Sequence, residues 1–168
     1  MHAEAFAYVS DAAARAGVKR PGLSVLDIGG RDVNGTTREV FQSATEYVIV
    51  DISAHPSVDV VCDAADLDLG RRFDVVVSTE CLEHAERAPE IVAAAFQHLH
   101  PGGVFIATMA GPGRAPHGEH GAAHPKPGEF YRNVEPDQLE RWLIAAGFEE
   151  FEIDRHGTDL RCMAWKGA

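Results

Sequence analysis

At 168 residues the chain has the length of one domain, for which about 100–200 residues is usual, and a core of that size needs no disulfide or metal staple. Apolar residues make up 45% and charged residues 24%, which excludes a disordered, collagen-like or coiled-coil chain. Twenty-six acidic residues against 15 basic ones give a formal charge of −11, and basic residues pair only at Lys19-Arg20 and Arg71-Arg72. No basic stripe follows a phosphate backbone, so the composition argues against nucleic acid and for a small-molecule, sugar or peptide partner.

Cys62, Cys81 and Cys162 are odd in number and lack C-x-x-C spacing, so they read as thiols in a reducing compartment. No basic segment followed by a long apolar run opens the sequence, and the longest apolar stretch, 104–110, is too short to cross a bilayer. The expectation is a cytoplasmic protein with no membrane partner. Nothing in the sequence specifies an oligomeric state.

The first predicted element is a helix over 3–16, within an N-terminal helical segment 1–20, with Phe6, Val9 and Ala13 at helical spacing and Gly17 as its stop. A short β-branched run over 23–28 reads as a buried strand ending in Gly29-Gly30. A short helix over 36–42, capped by Thr36 or Thr37, comes next. Strands follow at 47–50, ending at Asp51; at 58–61, ending at Cys62-Asp63; and at 73–77, ending at Ser78-Thr79-Glu80.

A helix is predicted over 88–100 with Pro89 in its first turn, then a Pro101-Gly102-Gly103 turn and a fifth strand over 104–108. A Gly-, Pro- and His-rich loop over 111–128 is long for a compact domain and reads as a lid, extending to about residue 130. Helix 136–146 follows, and 148–154 with 159–166 alternate as a closing hairpin. Apolar strands alternating with helices predict one α/β domain over 1–168 whose mostly parallel sheet is covered on both faces, with an antiparallel last strand.

Ligands of open α/β sheets bind beyond the carboxyl ends of the strands. Here those ends carry Asp27 with Gly29-Gly30, then Asp51, Asp63 and Ser78-Thr79-Glu80. A carboxylate after the second strand suits the two hydroxyl donors of a ribose. So many acids disfavour a pyrophosphate, and an adenosine-type ligand without phosphate fits better.

The segments Val25-Leu26-Asp27-Ile28-Gly29-Gly30, Val48-Ile49-Val50-Asp51, Val61-Cys62-Asp63-Ala64, Phe73-Asp74-Val75-Val76-Val77-Ser78, Glu80-Cys81-Leu82-Glu83-His84 and Leu99-His100-Pro101-Gly102-Gly103 stand in this order along the chain. Together they resemble the class I S-adenosylmethionine-dependent methyltransferases, as a small single-domain, type 11-like member. The resemblance runs from Leu23 to Lys166. It implies a Rossmann-like three-layer αβα sandwich with a seven-stranded sheet. It also implies S-adenosyl-L-methionine as cofactor, leaving as S-adenosyl-L-homocysteine, and methyl transfer to an oxygen or nitrogen of a small molecule or sugar.

The resemblance places Asp27, Gly29 and Gly30 against the methionine part of the cofactor and Asp51 on the ribose hydroxyls, with Ile52 beside it. Asp63 and the Ala64 backbone meet the adenine, Ser78, Thr79 and Glu80 close the methionine end, and Leu82 to His84 start the helix lining the substrate pocket. The family's G-x-G-x-G loop is broken here, because Arg31 and Val33 stand where glycines belong. Asn34-Gly35, a strong turn dipeptide, supplies the close approach one step later. Arg31 either holds the cofactor carboxylate or faces solvent.

A hydroxyl acceptor calls for a nearby base, and His84, His117, His120 and His124 are the candidates. Tyr131 and Arg132 either orient the acceptor or pack against the sheet and pair with Glu135. Glu83 and His84 read alternatively as an exposed first helical turn. No helix or strand fixes ligand geometry in the His-rich loop, so no metal site is expected there. Cys81 has no activating partner and reads as a buried thiol.

Two other readings stand beside this one. An NAD-dependent oxidoreductase needs G-x-G-x-x-G after the first strand, and Gly29-Gly30-Arg31-Asp32-Val33-Asn34 does not supply it. A non-catalytic, S-adenosylmethionine-binding regulatory or scaffold protein is compatible with the altered glycine loop.

Overall fold

The structure, a computed structural model, describes residues 2–119 and 122–168. The chain runs through α1 (Ala3–Arg15), β1 (Ser24–Ile28), β2 (Glu46–Asp51), β3 (Val60–Val61), β4 (Phe73–Thr79), α2 (Ala88–Gln97), β5 (Leu99–Ala110), α3 (Pro136–Ala146), β6 (Glu150–His156) and β7 (Asp159–Trp165). The strands form one seven-stranded sheet in the order β3-β2-β1-β4-β5-β7-β6. Strands β1 to β5 are mutually parallel, and β7 is antiparallel to both of its neighbours. The predicted fold, including the closing hairpin, is the observed one.

Two apolar layers sandwich the sheet. On one face α2 and α3 bury Ile91, Val92, Leu139 and Leu143 against Leu26, Val76 and Phe105. On the other α1 buries Tyr8, Val9 and Ala12 against Val25, Val75 and Ile106. Successive side chains of one strand alternate between these layers, as the pleat requires. No described helix is long and apolar enough to cross a membrane.

Several predicted elements are shorter than expected. The 36–42 helix is a single 3-10 turn, Thr37–Glu39, capped by the Thr36 side chain, and Val40 and Phe41 beyond it pack into the α1 layer. Strand β3 keeps two residues of the expected four, because the Asp59 carboxylate accepts the Ile49 N–H at 2.8 Å in place of further strand pairing. Helix α2 stops at Gln97, where the His98 ring donates through Nδ1 to the Ala94 carbonyl at 2.8 Å. Strand β5 is longer than expected, running through Pro101-Gly102-Gly103 with a register irregularity opposite Phe73 to Val75.

Candidate active site

All the parallel strands present their carboxyl ends on one edge of the sheet, and a cavity of about 570 Å³ opens there. Among the described residues, every expected cofactor contact except Ser78 lines it, as do the candidate bases His84 and His117, whereas His124, Tyr131 and Arg132 do not. His120 lies outside the described residues.

At the end of β1, Asp27 is buried with one oxygen saturated. Its Oδ2 accepts from Thr37 Oγ1 at 2.8 Å and from the Tyr47 hydroxyl at 2.5 Å, while buried Oδ1 has no hydrogen-bond partner among the described residues. Burial pushes the Asp27 carboxyl up to about 6, with the Tyr47 and Thr37 hydrogen bonds opposing that rise. The two glycines that follow allow close packing rather than mere flexibility. A Cβ on Gly29, which has φ +73°, would lie 2.5 Å from Cys81 Sγ, and one on Gly30 would lie 2.4 Å from the Asp27 Cγ.

The broken glycine loop folds back through Asp32. Its Oδ1 accepts the Gly35 N–H at 2.9 Å, and its own N–H donates to Ser57 Oγ at 3.1 Å. Asn34 and Gly35 reach the cavity wall, as the turn dipeptide suggested. The Arg31 side chain lies along the cavity with Nε 4.0 Å from Asp51 Oδ1, so it does not face open solvent.

Asp51 ends β2, nearly buried, and its Oδ1 accepts the Ser53 N–H at 2.8 Å. Ile52, 67% exposed, offers an apolar side chain at the cavity mouth. Asp63 caps a 3-10 turn, Ala64–Asp66, by accepting the Ala65 N–H at 2.9 Å. Arg87 makes a two-pronged pair with Asp66 at 2.8 Å and approaches Asp63 at 3.4 Å. Three adjacent strands thus deliver three carboxylates to one wall.

Beyond β4 the chain departs from expectation. Ser78 sits behind the wall, its hydroxyl donating to the Ile28 carbonyl at 2.9 Å, so it braces β4 to β1 and touches no ligand space. Glu80 adopts φ +53°, a conformation a side chain other than Gly rarely takes. It is held from three sides: Thr108 Oγ1 donates to Oε1 at 3.1 Å, and His2 Nε2 and Arg114 lie 3.1 Å and 3.7 Å from Oε2. Burial works to raise the Glu80 carboxyl, but these partners together hold it below its ordinary value. His2 is in turn raised above its ordinary value, chiefly by its hydrogen bond to Glu80.

Leu82–His84 form a separate 3-10 turn instead of opening a helix, and α2 begins four residues later. Glu83 is fully buried there, not the exposed first turn that its charge suggested. Its Oε1 accepts the Ala110 N–H at 3.0 Å and its Oε2 has no partner among the described residues. Burial, then the charge of Glu80, raises the Glu83 carboxyl. His84 is lowered, first by burial and then by His117, which keeps its imidazole neutral at neutral pH. Burial pushes the Cys81 thiol up to about 12, so it is no activated nucleophile.

The loop predicted as a lid brings His117 to His84, with ring centroids 5.0 Å apart and planes at 84°. Tyr131 does not reach the cavity. Its ring packs on His84 at 5.4 Å and His117 at 4.9 Å, and its hydroxyl donates to Asn133 Oδ1 at 2.8 Å. Arg132 stacks over Phe130 at 5.7 Å, and the Glu135 side chain caps α3. His2 and Arg114, which sequence reasoning did not single out, also line the cavity, and Arg114 is anchored by Asp159 at 2.5 Å.

A family model described as a methyltransferase domain matches residues 1–152. The ubiquinone biosynthesis O-methyltransferase of Mesorhizobium japonicum is 29% identical over 85% of this chain and 66% of that protein. This chain therefore spans a little under two thirds of that relative's length. Among solved structures, the 1,6-didemethyltoxoflavin-N1-methyltransferase of Burkholderia thailandensis, with bound 1,6-didemethyltoxoflavin and S-adenosylhomocysteine, superposes with a TM-score of 0.68. It is 22% identical, and the match covers 99% of this chain and 80% of that one. Haemonchus contortus phosphoethanolamine N-methyltransferase 2 in complex with S-adenosyl-L-methionine gives a TM-score of 0.66 at 16% identity, over 96% of this chain and 52% of that one. The fold is that of the S-adenosylmethionine-dependent methyltransferases. The chain itself belongs to the methyltransferase-domain family.

Proposed function

We propose that this domain binds S-adenosyl-L-methionine across the ends of β1, β2 and β3 and transfers its methyl group to an oxygen or nitrogen of a small molecule or sugar. The observation that carries the reading is the wall of three carboxylates, Asp27, Asp51 and Asp63, on one cavity. Asp27 Oδ1, buried and without a partner among the described residues, suits a cationic amino group, as the amino acid end of that cofactor offers. Asp51 suits a pair of hydroxyl donors, and Asp63 beside Ala64 suits an exocyclic amine over an apolar contact.

When bound, the cofactor would supply an already activated sulfonium methyl, open to in-line attack by the lone pair of an acceptor oxygen or nitrogen. The chain's own part is alignment and exclusion of water. Orientation of two reactants is worth ~7–11 kcal/mol of barrier. Asp27 and the glycine turn hold the amino acid end of the donor, and Ile52 covers its base. His84, His117 and Phe130 line the same cavity from the turn after β4 and the loop before α3, and they offer the surface for an acceptor.

The test is a screen of hydroxyl- and amine-bearing metabolites and sugars with methyl-labelled cofactor. The reading expects label transfer to at least one acceptor, lost on Asp51→Ala. Binding of the sulfur nucleoside without transfer to any acceptor would favour a regulatory or scaffold role instead.

A further inference from the structure

We infer that Glu83, His84 and His117 form a binding site for one divalent transition-metal cation at the acceptor end of the cavity. The placement at that end rests on the methyl-transfer reading; the binding of the cation does not. One carboxylate oxygen and two imidazole nitrogens from these residues all lie within 4.8 Å of one another. Two of the three residues also contribute orphaned atoms. Glu83 Oε2 and His84 Nδ1 are both buried, and neither has a hydrogen-bond partner among the described residues. Leaving one such atom bare costs ~1–3 kcal/mol, and more when it is charged, so two such atoms on residues of one cluster call for an occupant.

The surroundings orient these donors as a metal's outer partners do. The Ala110 N–H occupies Glu83 Oε1 at 3.0 Å and leaves Oε2 as the available oxygen. The His117 ring donates through Nδ1 to the Ala115 carbonyl at 3.3 Å, which leaves Nε2 as its available nitrogen. Tyr131 packs against both imidazoles and restricts their tilt. Metal–ligand bonds of about 2.1 Å set tetrahedral ligand spacings of roughly 3.4 Å, so the cluster must contract on binding. His117 sits on a connecting loop, whereas Glu83 and His84 sit on the turn after β4, so the contraction falls on His117.

Two imidazoles and one carboxylate are a borderline donor set. They select Zn²⁺, Co²⁺, Fe²⁺ or Mn²⁺ over Mg²⁺ and Ca²⁺, which prefer all-oxygen shells. Three protein ligands leave positions open, and His84 and His117 both line the cavity. The open side therefore faces the space an acceptor would occupy, and the ligand class that completes the shell is an oxygen donor such as a hydroxyl.

Co²⁺ titrated into chelator-treated full-length protein tests the inference, followed by visible absorption and by calorimetry. One ion per chain is expected, with at least tenfold weaker affinity in His117→Ala and in Glu83→Gln, and no displacement by excess Mg²⁺. His117→Ala alters only a loop side chain and decides the matter even if Glu83→Gln fails to fold. Wild-type protein that takes up no stoichiometric Co²⁺, or a His117→Ala variant that binds it as tightly, overturns the site. S-adenosylhomocysteine binding on the same samples reports the nucleoside end separately, so failure of one reading is distinguishable from failure of the other.

Discussion

The Tyr47 hydroxyl of β2 reaches Asp27 Oδ2 of β1 at 2.5 Å, directly beneath the glycine turn that opens the cavity. With Thr37 on the same oxygen, one half of the carboxylate is anchored inside the sheet. The other half keeps, among the described residues, an unpartnered oxygen on a residue that lines the cavity. A residue held this way serves both stability and binding, and the two roles separate by pH and by substitution.

Asp27 should set a pH dependence of stability. Its carboxyl is raised by burial from 3.8 to about 6. A group raised on folding contributes stability that is full below its unfolded value and lost as pH climbs through its folded value. The span between 3.8 and about 6 corresponds to ~3 kcal/mol. Urea denaturation of wild type and Asp27→Asn between pH 4 and pH 7 should show the wild type losing an amount of that order relative to the variant. Parallel curves would place the ionised carboxylate in a better-solvated setting than the structure gives it.

Gly30 has no room for a methyl group, since a Cβ would meet the Asp27 carboxyl carbon at 2.4 Å and both its oxygens at 2.7 Å. Gly30→Ala should lose ~1–3 kcal/mol by overpacking, and should weaken sulfur-nucleoside binding by displacing Asp27. Thermal melts read the first effect and calorimetry the second. Gly167→Ala, where a Cβ meets nothing within 4 Å, is the control and should melt like wild type.

His2 and Glu80 are joined across 78 positions of sequence, with the imidazole raised mainly by that hydrogen bond. In a proton NMR titration, His2 should change charge above its ordinary 6.5 in wild type and fall back toward it in Glu80→Gln. The accompanying stability is present below 6.5 and disappears as pH rises through the raised value. Unchanged His2 titration in Glu80→Gln would mean that the contact does not persist in solution.

What the sequence disclosed follows from how locally each feature is encoded. Buried parallel strands read as apolar runs, so β1, β2, β4 and their terminal acids were legible, and Asp27, Asp51 and Asp63 fell where the runs end. Ser78 was misassigned because a strand-end hydroxyl looks the same whether it faces a ligand or, as here, the Ile28 carbonyl. Glu83 was misjudged because a carboxylate next to a helix start is usually solvated, and only the turn Leu82–His84 folds it under Ala110. His2 and Arg114 converge on Glu80 from far apart in the chain, and no local pattern encodes such a meeting. Strand β3 shrank because the Asp59 side chain competes for the Ile49 N–H, which hydrophobic periodicity does not register.

The central claim is that the acids at the strand ends hold a sulfur nucleoside, and Asp51 tests it most directly. S-adenosylhomocysteine titrated into wild type and Asp51→Ala, read by calorimetry and by thermal melting, should bind the wild type one to one. At a hundredfold excess over the dissociation constant it should stabilise the fold by ~2.7 kcal/mol, with NAD producing no shift. Asp51→Ala should melt at a similar temperature without ligand and lose most of the gain. Wild-type protein that neither binds nor is stabilised by the nucleoside, or an Asp51→Ala variant that binds it undiminished, would contradict the account.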